Sequence, residues 1–296
     1  MHVGRAMFQL AREQGASSIF VVGIGKNVGK TVTMRAIYDA AYAQQRCTGV
    51  ASVGRDGEAF DVGDNERKPR LFLRHGTIVA TARNTLPRSP AVEFLASSTL
   101  STAAGAIVYV RVAAGAHYEL VGPPTASGIR DVVAALRDRC DAVIVDGAID
   151  RVAALAGMPG AIVVAAGASA AGTIAEASEA VAALVQRLRT PRYDARAEAL
   201  HLEGALTPMR ASELIAVRES RQIVVRDPTQ IALTGKAASN AFARLRIRCK
   251  RPLRVIAVTV AAIGRERSFE PRSFANAVAG ATGLPTFDVY AGARAG

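Results

Sequence analysis

The chain has 296 residues, half of them hydrophobic and 21% charged, which is the balance of a folded globular protein and excludes a disordered one. Its three cysteines, Cys47, Cys140 and Cys249, lie far apart without CxxC spacing, which speaks against a disulfide framework or zinc site and suits a reducing, cytoplasmic setting. The net charge of +12 comes from arginine, since only five lysines occur, and it reads as a solvated surface rather than a nucleic-acid interface.

The first residues, MHVGRAMFQLAREQG, predict a short amphipathic helix rather than a signal peptide, because Arg5 and Arg12 interrupt any apolar run. The run SIFVVG at 18–23 predicts a buried strand, followed by a glycine-rich turn and a helix over about 31–44. Further strands are predicted at 48–53, 76–82, 106–111 and 118–122. A helix over 129–139, capped by Ser127, leads into the apolar strand 142–145.

The uncharged stretch 152–175 is rich in glycine and alanine and reads as a loop, a strand at 160–165 and the start of a helix over 174–188, not as a membrane span. The Arg189–Tyr193 stretch ends that helix and suits a linker. Beyond it, strands are predicted at 222–225, 255–260 and 286–289, with helices between them. Six basic residues fall within 244–254, the first four alternating with apolar neighbours, as in an edge strand guarded by charge. The alternation of strands and helices predicts an α/β fold with a mostly parallel, doubly wound sheet over 1–193. Residues 194–296 form an α/β extension of that sheet or a small second domain.

The strand–turn–helix segment carries VVGIGKNVGKT. A triphosphate needs several backbone N–H groups aimed at one spot, and glycines let the chain curl that tightly. The start of a helix adds partial positive charge. The segment therefore predicts a phosphate-binding P-loop formed by Gly23, Gly25, Lys26, Asn27, Val28, Gly29, Lys30 and Thr31. Lys30 would bridge the β- and γ-phosphates, and the Thr31 hydroxyl would ligate Mg2+. The usual GxxxxGK[ST] spacing places its first glycine on Ile24, whereas here that glycine is Gly23, one place earlier.

Asp146 ends the apolar run AVIVD, where a carboxylate would lie beside the loop and hold the magnesium or its water. The segment VGRDGE follows the second strand, and Asp56 within it is expected to bind a magnesium water or orient the attacking nucleophile, with Arg55 reaching a phosphate. His75, His117 and His201 show no ligand spacing, and Lys68 and Arg70 read equally well as substrate contacts or as a solvated turn.

The loop GIGKNVGKT resembles that of the dethiobiotin synthetase-like class of P-loop proteins, in which the first glycine likewise precedes the Gly-Lys-Thr glycine by six places. The class includes metal-insertion GTPases and cobyric acid synthase-type ligases. The resemblance implies that Lys30 binds phosphates, that Thr31 binds magnesium and that Asp56 lies near the γ-phosphate. It also implies a homodimer, but the lysine with which that class reaches across to a partner subunit is here Gly25.

Together, GKNVGKT, SVGRDGE, ERKPRLFL, GTIVATA, DAVIVDGAIDR and IVVRDPTQI are similar to accessory or reactivase ATPase subunits of cobalamin-dependent lysine and ornithine aminomutases. That resemblance implies ATP (or GTP) hydrolysis that drives a conformational change on a partner protein such as a mutase. The rival expectations are an ATP-dependent carboxylate or carbamate ligase and a nucleotide sensor that does not hydrolyse.

Overall fold

The computed structural model describes residues 3–53, 70–88, 92–147, 160–264 and 267–290. The chain opens with helix α1 (Val3–Glu13), whose apolar side packs on the fully buried strand β1 (Ser18–Gly23), α2 (Lys30–Ala43) and the neighbouring core. Strand β2 (Thr48–Ser52) follows, then the short β3 (Leu71–Leu73) and β4 (Ile78–Ala82). Next come β5 (Val92–Thr102), β6 (Gly105–Val112) and β7 (Ala116–Tyr118).

Helix α3 (Ala126–Arg137) starts earlier than predicted and is capped by Thr125, not Ser127. Thr125 is extended and its hydroxyl accepts from the Gly128 N–H at 3.1 Å, while Ser127 already lies inside the first turn. Strands β8 (Ala142–Asp146) and β9 (Ala161–Gly167) are apolar and buried, and α4 (Ile174–Leu188) starts with a capping box between Thr173 and Glu176. The remainder comprises β10 (Ala199–His201), α5 (Pro208–Ala216), β11 (Gln222–Val225), α6 (Gly235–Arg244), β12 (Arg246–Cys249), β13 (Val255–Ala261), α7 (Pro271–Thr282) and β14 (Thr286–Asp288).

The protein is α/β. Nine strands form one sheet in the order β14-β13-β9-β1-β8-β2-β4-β6-β5. From β14 to β4 every pairing is parallel, and β4-β6 and β6-β5 are antiparallel. The central strands carry no alternating pattern because helices cover both faces. Val181 of α4, Ile129 of α3 and Phe274 of α7 pack on one face, and Met7 of α1 and Ile37 of α2 on the other.

The antiparallel end was not predicted as such. Strand β5 is rich in Ser and Thr and half-exposed along its length, so it carries little of the apolar signal that marks a strand. The strand predicted at 118–122 is instead β7, which ends at Tyr118 and pairs with β3 in a separate two-stranded ribbon.

The C-terminal third is divided. Strands β13 and β14 join the main sheet, whereas β10, β11 and β12 form a parallel three-stranded sheet with its own core of residues such as Leu214, Ile223, Ala241 and Ile247. The basic segment supplies β12, which lies at the edge of the small sheet, as its charge pattern predicts. Arg192 bridges to Cys249, so the stretch after α4 is tied to β12 rather than left as a free linker. Among the described residues no helix is long and apolar enough to cross a membrane.

Candidate functional site

The glycine loop rises from the C-terminal end of β1 at the centre of the sheet. Its start is held by the Ile24 N–H, which donates to Ala165 of β9 at 3.1 Å. A Cβ on Gly23 would fall 2.6 Å from the Val28 Cγ2 and 2.8 Å from the Lys30 Cγ, so the turn closes over a position only glycine fits. Val28, 1% exposed, anchors the loop in the core. Gly167 of β9 makes room for it, since a Cβ there would lie 2.6 Å from the Val28 Cα. Lys26 and Asn27 are exposed, and the Ser169 hydroxyl donates to the Asn27 carbonyl at 2.8 Å.

Gly29 precedes α2 with φ +87, a left-handed conformation, and no side chain caps the helix. The first N–H groups of an α-helix have no partner within it, so this end carries unmet donors and partial positive charge. From the first helical position, the Lys30 Nζ folds back and donates to the Gly25 carbonyl at 2.8 Å.

Asp146 reaches the same region from β8. It pairs in register with Val21 of β1 and Ser52 of β2. Its carbonyl accepts from the Val53 N–H at 2.8 Å, and the Gly147 N–H donates to Val21 at 2.8 Å. Thr31, Ser52 and Asp146 line one cavity of about 60 Å3 together with Tyr118 and the apolar side chains of Met34, Leu71 and Leu120.

Thr31 and Asp146, far apart in sequence, thus share one small cavity at the head of α2. Hydroxyl and carboxylate oxygens are hard donors suited to magnesium, which takes one or two protein ligands and completes its shell with water and phosphate oxygens. No group of three or more His, Cys, Asp or Glu side chains that could hold a metal by itself occurs among the described residues.

No family model, curated protein or solved structure matches the chain.

Asp56, Arg55 and Lys68 lie outside the described residues, and Arg70 is exposed just before β3. His117 packs edge-on against Phe72 and His201 against Tyr193, which gives both rings packing roles. The sequence reading did not single out Ser52, Ser169 or Tyr118. Ser52 was findable as the last residue of a parallel strand, where such sheets place their ligands. Tyr118 and Ser169 carry no local signal.

Proposed function

We propose that the chain binds ATP or GTP with magnesium at Gly23–Thr31, hydrolyses it slowly and passes the resulting change to a partner protein. The observation that carries this reading is the hydrogen bond from the Lys30 Nζ to the Gly25 carbonyl at 2.8 Å. It draws an ammonium back over a glycine loop at the uncapped head of a helix, which concentrates positive charge and donors where a polyphosphate needs them.

In this reading Lys30 neutralises the β- and γ-phosphates, and Thr31 and Asp146 hold magnesium. Magnesium bound there would offset the charge that builds on the phosphate oxygens. Asp56 orients the attacking water. The resemblance of the sequence segments to aminomutase reactivases supports a cobalamin-dependent mutase as the partner.

Lys30→Ala is the test. It should leave the fold intact and weaken ATP–magnesium binding by about 2 kcal/mol or more, the loss of a charged contact to phosphate. Unchanged affinity would sink the assignment. Phosphate release that depends on a protein partner fits the proposal. Release that depends on a small carboxylate would make the chain a ligase, and tight binding without release a sensor.

A further inference from the structure

Tyr118 ends β7, where it pairs with Leu71 of β3, and it is one of the walls of the cavity shared by Thr31, Ser52 and Asp146. Its side chain is 0% exposed, and its hydroxyl has no hydrogen-bond partner among the described residues. Buried tyrosine hydroxyls nearly always reach a partner, because leaving one unmet is destabilising. Burial pushes the phenol pKa up, so the group stays protonated and able to donate at neutral pH.

The side chains that line the cavity divide sharply in chemistry. Met34, Leu71 and Leu120 are apolar and offer no acceptor, while Thr31, Ser52 and Asp146 are polar. At about 60 Å3 the cavity has room for ordered water or for an oxygen of a bound anion. Tyr118 lines this space and its hydroxyl is unmet, which is accounted for if the acceptor arrives with the ligand.

We infer that Tyr118 is a ligand-contacting residue of this site, whose hydroxyl donates to an oxygen held in the Thr31–Asp146 cavity when a triphosphate occupies the loop. The inference rests on the nucleotide reading of Gly23–Thr31. The acceptor is an oxygen of the terminal phosphoryl group or of the water that attacks it. In either case the ligand is registered by the β3–β7 ribbon, through a side chain that belongs to neither the loop nor the main sheet.

Tyr118→Phe removes the hydroxyl and keeps the ring. The free protein should melt at the same temperature or higher, because the lost group had no partner there. With ATP and magnesium, affinity should fall on the order of tenfold if the acceptor is a phosphoryl oxygen, whereas turnover should fall by about that factor at unchanged affinity if it is the water.

The parent protein and Lys30→Ala are measured alongside by thermal shift, nucleotide titration and phosphate release. A parent that responds to ATP and a Tyr118→Phe variant with the same affinity and turnover overturn this inference alone. So does a variant whose free form melts several degrees lower while its response to ATP is unchanged, since the hydroxyl would then serve the free fold. A parent that responds to neither ATP nor GTP overturns the reading of the loop, and this inference with it.

Discussion

The hydroxyls of Thr33 and Thr259 lie 2.8 Å apart in the buried interior and join positions 226 residues apart in the chain. Thr33 is in the first turn of α2, immediately behind the glycine loop, and Thr259 is in β13. A strand from the C-terminal third therefore backs the candidate site. Thr259→Val leaves the Thr33 hydroxyl buried without its partner and should lower stability by about 1–3 kcal/mol in urea unfolding. The Thr33→Val/Thr259→Val double variant should recover much of that loss, because no hydroxyl is left unmet. A double-variant loss equal to the sum of the single losses would show that the bond is not the cause.

Gly29→Ala tests the loop's backbone. At φ +87 a side chain costs about 1–2 kcal/mol, and here its Cβ would also lie 2.8 Å from the Ala261 Cβ. Gly15 has φ +67 with no atom near the added Cβ, so Gly15→Ala isolates the backbone strain. Gly29→Ala should destabilise more than Gly15→Ala and also lose ATP binding. Equal thermal shifts in the two variants, with binding intact, would mean that the loop tolerates the displacement.

Asp146 is placed by strand register with Val21 and Ser52, and Asp146→Asn keeps that register and the side chain's size, so the variant should fold. The variant should weaken magnesium more than nucleotide, and EDTA should sharply reduce triphosphate binding by the parent. Hydrolysis that persists without magnesium contradicts the roles given to Thr31 and Asp146.

Asp56 lies outside the described residues, and its role is open to kinetics. A carboxylate that orients the attacking water acts mainly in the transition state. Asp56→Asn should therefore keep ATP affinity within a few-fold and lower turnover by about 100-fold. Equal phosphate release by parent and variant would reduce VGRDGE to a surface turn.

Cys249 gives a pH-dependent prediction for the small sheet. Burial, and then the nearby Asp227 carboxylate, push its thiol from the ordinary 9.0 up to about 11. The fold favours the neutral thiol, so its contribution is complete below pH 9.0 and is lost as pH rises towards 11. Stability measured by urea unfolding should decline across that window, and Cys249→Ala should flatten the decline. At neutral pH, iodoacetamide should modify Cys249 only once the small sheet opens.

What the sequence by itself determined is local. SIFVVG followed by closely spaced glycines and Lys30-Thr31 dictates a buried strand, a tight turn and a helix, because each signal acts within a few residues. The apolar run ending in Asp146 is legible for the same reason, as are α4 and β13. Tertiary structure decided which of these meet. Nothing near Asp146 states that β8 lies beside β1, and nothing near Tyr118 states that it lines the same cavity as Thr31. Nor does any local signal separate β11, which buries itself under α5 and α6, from β13, which returns to the main sheet. Strand order depends on which apolar faces can be covered together, and that balance is set across the whole chain rather than within any one segment.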